Sequence, residues 1–314
     1  KKLMAVVAIC VLPLTAWAQN GPLRIEITEG VVEPMPFAAP NFVAEIQEIQ
    51  LDRITDSEFE RLYAAWLQYG VLRIRNQDLD DEQLQAFSQR FGPLEEAPFG
   101  RMPEAEKAKI KNRFVTTLSN IKVDGKPIGG LGNDEATWHS DMTYSETPPP
   151  ASLLLGIEIP DQGGDTHFAD QRAALAALPA ALRQRIESLS VKHNAAHTSV
   201  GKLRPGFEAF DDPRDAPGAI HPMIKTHNET GKPALYLGRR EWAYIPGMTV
   251  EESDDLLDAL WTYVAIKEIT WTQQWQPFDL IIWDNRCVMH RRDGFDQNSR
   301  RYMRRCQVLP RHAV

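Results

Sequence analysis

Two histidines and one aspartate have the types and the spacing of a metal site. His139 and Asp141 are separated by a single residue, and side chains two positions apart on a strand point to the same face. His290 follows the apolar run 280–283, which has the pattern of a buried strand that ends in polar residues. Two imidazoles and one carboxylate on one face of an octahedron leave coordination positions open, as in non-haem Fe(II) oxygenases. The three residues are therefore candidate iron ligands.

The same donor set is open to other interpretations. A His-x-Asp pair is frequent by chance, and two histidines with a carboxylate also suit zinc with a bound water. A zinc-dependent hydrolase on a similar frame and an inert binding module of the same fold are therefore alternatives to an oxygenase. The hydrolase would need a general base, but it would not need an arginine that binds a dicarboxylate.

Arginines near the end of the sequence are candidates for binding such a dicarboxylate. On a strand predicted over 301–308, the side chains of Arg301, Met303 and Arg305 share one face. Guanidinium groups that point inward need anionic partners, and the planar fork of arginine pairs with a carboxylate through two hydrogen bonds. The alternative is a set of surface arginines, because arginine is frequent in this segment.

The predicted elements are many short strands with a few helices beside them. Helices are predicted where apolar residues recur at helical spacing, over 55–70, from Asp80 or Asp81 to about 91, over 175–189 and over 251–264. Strands are predicted over 71–75, 152–159, 166–168, 234–237, 268–271, 279–283 and 301–308. The strict strand–helix alternation of a parallel α/β fold is absent. The pattern predicts a mainly β chain with flanking helices, folded as a double-sheet jelly roll.

Four motifs in register carry a resemblance to a known family. They are Trp138-His139-Ser140-Asp141, Gly163-Gly164-Asp165-Thr166, Trp283-Asp284-Asn285-Arg286 with His290, and Arg301-Tyr302-Met303-Arg304-Arg305. In order and spacing they resemble the TauD/TfdA family of Fe(II)- and 2-oxoglutarate-dependent dioxygenases, in particular its TfdA branch, over about residues 41–310. The resemblance implies the double-stranded β-helix of that family and one catalytic domain over 41–314.

The resemblance also implies roles for single residues. The three candidate ligands would hold Fe(II), and Arg301 with Thr166 would bind the far carboxylate of 2-oxoglutarate. Arg305 would lie close to this cosubstrate and to the acidic group of the substrate. Asn120 and Tyr144 are further candidates for contact with the substrate, and both have ordinary structural interpretations as well.

The implied reaction uses Fe(II), 2-oxoglutarate and O2. A substrate carbon is hydroxylated while 2-oxoglutarate is decarboxylated to succinate and CO2. The expected substrate is a small organic acid, such as an aryloxyalkanoate or a sulfonate, because a buried Arg305 without an anionic partner would be unfavourable. Whether the product is a stable alcohol or breaks at a C–O or C–S bond depends on the carbon that is attacked.

Charge and cysteine content exclude several other classes of protein. The chain has 314 residues and a formal net charge of −8, whereas a nucleic-acid-binding surface needs positive charge on its contacting face. The 3 cysteines are too few for a disulfide framework, and Cys287 and Cys306 are expected to be small core residues. A small molecule is therefore the expected partner, and assembly into a homo-oligomer stays open.

The N-terminal region differs from the rest of the sequence. Residues 1–20 combine lysines, an apolar stretch from Leu3 to about Ala16 and the small-x-small sequence Ala16-Trp17-Ala18, which predict a secretory leader. The apolar stretch is too short for a stable membrane span. Residues 21–40 contain several prolines, and 23–42 resemble the mature start of a periplasmic TolB-type protein. The leader predicts the periplasm and the family resemblance predicts the cytoplasm, so the sequence leaves the localisation open.

Overall fold

The structure is a computed structural model, and it describes residues 25–27, 30–34, 42–97, 112–134 and 136–311. The predicted leader over 1–20 lies outside the described residues. Of the segment 21–40, only short strand residues are described. No helix in the described part of the chain is long and apolar enough to cross a membrane.

Short strands, most of them in antiparallel pairs, make up most of the regular structure. In chain order they are β1 (Ile25–Ile27), β2 (Gly30–Pro34), β3 (Val43–Ile46), β4 (Val71–Ile74), β5 (Thr116–Ser119), β6 (Lys122–Val123), β7 (Lys126–Pro127), β8 (Gly130–Leu131), β9 (Ala136–His139), β10 (Ala151–Glu158), β11 (Thr166–Asp170), β12 (Ser190–Lys192), β13 (Ile220–Pro222), β14 (Ile224–Thr226), β15 (Pro233–Leu235), β16 (Thr270–Gln273), β17 (Leu280–Asp284), β18 (Val288–Arg292) and β19 (Tyr302–Val308). A nine-stranded sheet has the spatial order β1-β2-β3-β4-β17-β10-β19-β5-β8, and a four-stranded sheet has the order β16-β11-β18-β9. The mainly β fold predicted from the sequence is confirmed.

Five α-helices flank the two sheets in the described residues. They are α1 (Asp56–Tyr69), α2 (Asp81–Gln89), α3 (Gln171–Ala177), α4 (Ala180–Ile186) and α5 (Val250–Val264). The helix predicted over 55–70 is confirmed, with Thr55 and Glu58 in a capping box and Gly70 at the C-terminal cap with φ of 91°. Helix α2 likewise begins at a capping box formed by Asp80.

The single helix predicted over 175–189 is wrong. Two short helices, α3 and α4, occupy this region, and Pro179 stands between them. Proline cannot donate a backbone hydrogen bond, and it pushes the preceding residue out of the helical region. Leu178 accordingly has an extended backbone with ψ of 137°. The apolar residues keep helical spacing across the break, so this spacing alone predicted one continuous helix.

Three apolar clusters hold the layers together. One lies between the larger sheet and helices α1 and α2, with Trp66 and Leu72 fully buried in it. Another packs helix α5 and its neighbours against the smaller sheet. The third fills part of the space between the sheets, where Phe168 of the smaller sheet meets Ile281 and Met303 of the larger. Two sheets that pack face to face in this way form the predicted jelly roll.

Candidate active site

Neighbouring strands of the smaller sheet bring the three candidate ligands together. His290 lies in the middle of β18 and is paired in register with His139, the last residue of β9. The Nε2 atoms of His139 and His290 lie 3.7 Å and 3.9 Å from Oδ1 of Asp141. One ligand atom from each of the three residues lies within 4.8 Å of the others. The residues predicted from the sequence therefore meet at one point.

The prediction that His139 and Asp141 lie on the same face of one strand is wrong. Strand β9 ends at His139, and Asp141 lies in the turn that follows. The carboxylate therefore reaches the imidazole from a turn and not from the same face of a strand. The spacing places both residues at the end of a strand, where the chain turns back over the site.

A buried hydrogen-bond chain holds the carboxylate of Asp141. The hydroxyl of Ser152 on β10 donates to Oδ2 of Asp141 over 2.8 Å. The side-chain amide of Asn285 donates to Ser152 over 3.0 Å, and its oxygen accepts from Trp283 Nε1 over 2.8 Å. With Oδ2 engaged, Oδ1 is the oxygen directed at the two histidines. Ser152 of the larger sheet, together with Trp283 and Asn285 of the third motif, thus orients a ligand beside the smaller sheet.

The histidines are held so that Nε2 faces the shared point. Nδ1 of His139 lies 2.7 Å from the carbonyl oxygen of Thr137, which fixes a proton on Nδ1 and leaves Nε2 unprotonated. His290 packs between aromatic rings, with its centroid 4.8 Å from that of Trp283 and 6.1 Å from that of Phe168. Such support restricts the ring orientation that a metal ligand needs.

The protonation states of the three groups suit a cation. Burial lowers the pKa of His139, and it lowers the pKa of His290 to about 3. Burial would raise the pKa of Asp141, but the neighbouring His290 and Arg305 outweigh it and hold this pKa below its usual value. Near neutral pH the site therefore offers two neutral imidazoles and a carboxylate, which are the forms that bind divalent metal ions.

Arg301 is a buried cation without an anionic partner among the described residues. Its side chain is 2% exposed, and Nε makes no hydrogen bond. Burial, with a further contribution from the nearby Arg292, lowers the pKa of Arg301 to about 9. Arg292 itself donates to the backbone carbonyls of Gly132 and Asp134. A buried charge of this kind is costly unless an anion joins it, which fits a carboxylate bound from outside.

Thr166 lies at the same cavity with a hydroxyl that still has a proton to donate. Its Oγ1 accepts a hydrogen bond from Nε1 of Trp275 over 3.0 Å. Thr166 is 3% exposed and pairs with Arg292 in the register of β11 with β18. A hydroxyl that accepts from an indole can donate to a carboxylate, so the residue fits the role that was predicted from the sequence.

Arg305 is turned toward the candidate metal ligands. Its Nη1 lies 3.7 Å from Oδ1 of Asp141. Glu95 lines the same cavity, where burial raises the pKa of its carboxyl and Arg305 opposes the rise. The predicted face of the last strand is thus correct, since Arg301, Met303 and Arg305 all turn toward the interior between the sheets.

These groups line one cavity of about 390 Å³ between the two sheets. The larger sheet contributes Leu118, Leu154 and Trp283 as an apolar wall, in addition to its arginines. The volume lies in the range of pockets that bind small molecules. The cavity therefore combines a metal-binding geometry, buried cations and apolar surface.

The two further candidates for contact with the substrate, Tyr144 and Asn120, lie in different places. Tyr144 lines the cavity, and its hydroxyl accepts a hydrogen bond from Nη1 of Arg204 over 2.6 Å. Asn120 is not in the lining of this cavity; its side chain donates to the carbonyl of Ser299 over 2.7 Å and accepts from the backbone N–H of Arg301 over 3.0 Å. Its position fits a role in holding the start of β19 and does not support contact with substrate.

Sequence reasoning missed several polar residues that line the cavity. Among them are His193, Arg204 and Arg239, and all three lie in the connections between strands. None belongs to a motif, and arginine or histidine in a loop is ordinary on its own. A prediction would have required knowledge of which loops fold back over the sheet.

Histidines outside the candidate ligand set differ in their contacts. His227 contacts Oδ2 of Asp284 at 2.9 Å, and His221 contacts the carbonyl oxygen of Ser145 at 2.9 Å. His193 differs, because it is 2% exposed and neither ring nitrogen has a hydrogen-bond partner among the described residues. Burial lowers the pKa of His193 to about 3, so its imidazole is neutral.

Comparisons with known proteins identify the family of the chain. The family model described as "Taurine catabolism dioxygenase TauD, TfdA family" matches residues 32–307. The chain is 33% identical over 268 residues to the (S)-phenoxypropionate/alpha-ketoglutarate-dioxygenase of Sphingobium herbicidovorans, which covers 83% of this chain and 90% of that relative. It is 31% identical over 280 residues to the alpha-ketoglutarate-dependent 2,4-dichlorophenoxyacetate dioxygenase of Cupriavidus pinatubonensis, with 86% and 95% covered.

Solved structures give the same result for the fold. A taurine dioxygenase from Burkholderia xenovorans superposes with a TM-score of 0.70 at 29% identity, covering 90% of this chain and 89% of that one. The structure of AAD-2 in complex with Mn(II) and N-oxalylglycine superposes with a TM-score of 0.71 at 29% identity, covering 89% and 97%. The chain therefore belongs to the TauD/TfdA family, and it is a dioxygenase that depends on Fe(II), 2-oxoglutarate and O2.

Proposed function

We propose that this dioxygenase hydroxylates a small organic acid, such as an aryloxyalkanoate or a sulfonate, at an iron held by His139, Asp141 and His290. The observation that carries the proposal is the meeting of these three donors, within 4.8 Å of one another, at a cavity that also contains the unpartnered Arg301. Two neutral imidazoles and one carboxylate form the facial ligand set of non-haem iron oxygenases.

Arg301 and Thr166 are the proposed binding site for the far carboxylate of 2-oxoglutarate. The guanidinium is buried without an anionic partner, and the threonine hydroxyl is free to donate once Trp275 has donated to it. A carboxylate at this position would neutralise the buried charge and accept from both side chains. Thr166 is the first residue of β11 and Arg301 directly precedes β19, and residues held by regular elements keep a more precise geometry than residues on loops.

When bound, the iron with 2-oxoglutarate and O2 supplies the oxidant that hydroxylates a substrate carbon, with succinate and CO2 as coproducts. The protein holds the metal ligands in position and limits the access of water to the site. Ser152 and Asn285 fix the carboxylate of Asp141, and the apolar wall formed by Leu154 and Trp283 limits the water that reaches the site. Exclusion of water strengthens every electrostatic contact in the cavity.

The acid class of the substrate is supported by Arg305. Its guanidinium faces the cavity near Asp141, whose own negative charge would be shared with the metal ion. An anionic substrate would therefore be attracted to Arg305, and a neutral one would leave this charge poorly compensated. Relatives named for phenoxypropionate and 2,4-dichlorophenoxyacetate support an aryloxyalkanoate as the first class to test.

The alternatives weighed from the sequence fit the site less well. A zinc hydrolase has no use for a buried arginine that lines the cavity without an anionic partner, and Arg301 has no such partner in the described residues. An inert module of the same fold would not be expected to keep the three donors together with the Ser152–Asn285 chain that orients one of them.

A substrate screen with succinate release as the readout tests the proposal. The iron-loaded protein is supplied with 2-oxoglutarate and O2, and aryloxyalkanoates, sulfonates, alkyl sulfates and neutral analogues of equal size are compared. We expect acids to stimulate succinate release and their neutral amides to be ineffective, because only the acids can pair with a guanidinium. Stimulation by neutral compounds alone would contradict the assigned substrate class.

A further inference from the structure

Two arginines from loops line the cavity apart from the family motifs. We call Arg204 and Arg239 the loop arginine pair. The guanidinium of Arg204 lies over the ring of Tyr144, 4.4 Å from its centroid, and donates to the hydroxyl of that residue over 2.6 Å. Arg239 Nη2 donates to the backbone carbonyls of Asn194 and His197 over 3.3 Å and 3.1 Å. Their hydrogen-bond partners in the described residues are thus neutral groups.

The loop arginine pair has little negative charge around it. Oε2 of Glu241 lies 3.7 Å from Nε of Arg239 without a hydrogen bond, and the glutamate side chain is 48% exposed. Exposed ion pairs of this kind are weakened by water and salt. Arg204 makes no ion pair in the part of the chain that the structure describes. Nε of Arg204 and Nη2 of Arg239 donate to the same acceptor, the carbonyl oxygen of His197, over 3.2 Å and 3.1 Å, so the two cations lie close enough to repel each other.

The other arginines of the cavity have different partners available. Arg301 is the proposed partner of 2-oxoglutarate, and Arg305, whose Nη1 lies 3.7 Å from Oδ1 of Asp141, is the proposed partner of the first acidic group of the substrate. Arg305 lies on β19 of the larger sheet and Arg301 directly precedes that strand, whereas the loop arginine pair lies on loops that line the cavity. The lining of the cavity thus carries positive charge from the larger sheet and from the loops, and it includes apolar side chains such as Leu118.

We propose that the substrate carries two acidic groups on an apolar body, one bound by Arg305 and the other by the loop arginine pair with the hydroxyl of Tyr144. This inference rests on the proposed function and narrows its substrate class from an organic acid to a dianion. Two guanidinium groups can share one carboxylate or sulfonate through charge-assisted hydrogen bonds. The second acidic group would also remove the repulsion between Arg204 and Arg239.

Binding of matched ligands to the loaded enzyme tests this inference without turnover. Calorimetry under anaerobic conditions, on protein that contains Fe(II) and 2-oxoglutarate, compares phenoxyacetate with its ring-carboxylated derivatives at the ortho, meta and para positions. We expect at least one diacid to bind roughly tenfold to a hundredfold more tightly than phenoxyacetate, because it gains charge-assisted hydrogen bonds. Arg204→Gln and Arg239→Gln should each remove most of this preference and leave the affinity for phenoxyacetate nearly unchanged.

Arg240 provides the matched control. It is adjacent to Arg239 in sequence but pairs with Asp254 and Asp258 on helix α5, and it does not line the cavity. Arg240→Gln should keep the diacid preference, and thermal unfolding of all variants shows whether each is folded. Arg204 and Arg239 are tested separately, so failure of one variant to fold leaves the other informative.

The possible outcomes separate this inference from the proposed function. If no diacid binds more tightly than phenoxyacetate, or if both variants weaken phenoxyacetate and diacid equally, the second acid site is refuted. Succinate release with phenoxyacetate in air is measured in parallel. Turnover without a diacid preference overturns the inference alone. A diacid preference that depends on the loop arginine pair, without turnover on any acid, supports the second site and counts against the proposed function.

Discussion

Arg301 shows at the scale of a single residue how a side chain can be arranged for a ligand that comes from outside. A guanidinium that is 2% exposed and lacks an anionic partner in the described residues lowers stability until an anion binds. Its strand position was predictable from the alternation of residues 301, 303 and 305. Its lack of a partner was not, since that depends on which side chains the fold leaves out of reach.

Replacement of Arg301 by lysine tests its role in binding 2-oxoglutarate. Lysine keeps the positive charge but loses the planar fork, and a charge-assisted hydrogen bond contributes roughly 1.5–3 kcal/mol. We expect Arg301→Lys to raise the apparent KM for 2-oxoglutarate roughly tenfold to a hundredfold, with little change in iron affinity. Thr166→Val should have a smaller effect of the same kind. A 2-oxoglutarate titration at saturating iron measures both, and an unchanged KM would remove Arg301 from the cosubstrate site.

Ser152 provides a second test at this scale, because it touches a proposed ligand without being one. Loss of the 2.8 Å hydrogen bond to Asp141 leaves the carboxylate free to rotate. Removal of such an outer partner typically lowers metal affinity or activity about tenfold to a hundredfold. We expect Ser152→Ala to lower iron affinity by this amount and to leave the KM for 2-oxoglutarate nearly unchanged.

The control for Ser152 is Ser88, an equally buried serine on helix α2. Its hydroxyl donates to the carbonyl oxygen of Leu84, away from the cavity. Ser88→Ala should leave iron affinity as in the parent protein. Equal iron affinities for Ser152→Ala and the parent protein would show that the Ser152–Asn285 chain does not orient the ligand.

At the scale of elements, turns and loops position much of the site. Strand ends and loops bring Asp141, Tyr144 and Arg239 to the cavity, whereas apolar periodicity predicts only the strands themselves. The periodicity identified helix α1 with its caps and most of the strands. It failed at Pro179, where a local backbone restriction divides a helix, and it could not predict how loops pack.

Gly238 shows how closely one of these loops approaches its neighbours. A Cβ built on this residue would lie 1.9 Å from Nδ1 of His193 and 2.6 Å from Oγ1 of Thr143, and φ is +69°. Its carbonyl oxygen also accepts from the backbone N–H of Ser140 over 3.2 Å. Gly238→Ala should therefore combine backbone strain with a clash at the cavity wall.

Gly231 separates these two effects. It has the same φ of +69°, but nothing lies within 4 Å of a Cβ added there. Both alanine variants carry the strain of the left-handed conformation, so we expect Gly238→Ala to lower the free energy of unfolding by about 1–3 kcal/mol more than Gly231→Ala does. Urea unfolding of the two variants measures the difference. Equal destabilisation would show that the loop can move away from His193 without cost.

At the scale of the whole molecule, two sheets whose strands are far apart in the sequence enclose one cavity. The smaller sheet contributes His139 and His290, and the larger contributes Ser152 and Arg305, with Arg301 directly before β19. Residues more than 150 positions apart thus meet at one point, as with His139 and His290. Sequence motifs predicted that meeting only through resemblance to a family, because spacing along the chain does not determine which strands become neighbours in a sheet.

The N-terminal boundary of the domain stays a prediction. The sequence suggested that the catalytic domain begins at residue 41, yet β2 over Gly30–Pro34 pairs with β3 and the family match begins at residue 32. All residues proposed for the site come from the part of the chain after β3. The localisation that the leader would determine is likewise a prediction, and cell fractionation tests it.

The central claim is that His139, Asp141 and His290 hold the iron that this enzyme needs, and iron binding measured together with succinate release tests it most directly. We expect the parent protein to bind one Fe(II) per chain and to lose succinate release on chelation. Alanine at any of the three positions should abolish turnover and greatly weaken iron binding.

His167→Ala is the matched control, because this histidine lies on the adjacent strand β11 and contacts Asp293 and Thr272 outside the cavity. It should keep both iron and activity. Stoichiometric iron and full succinate release in a variant that lacks His139, Asp141 or His290 would contradict the account.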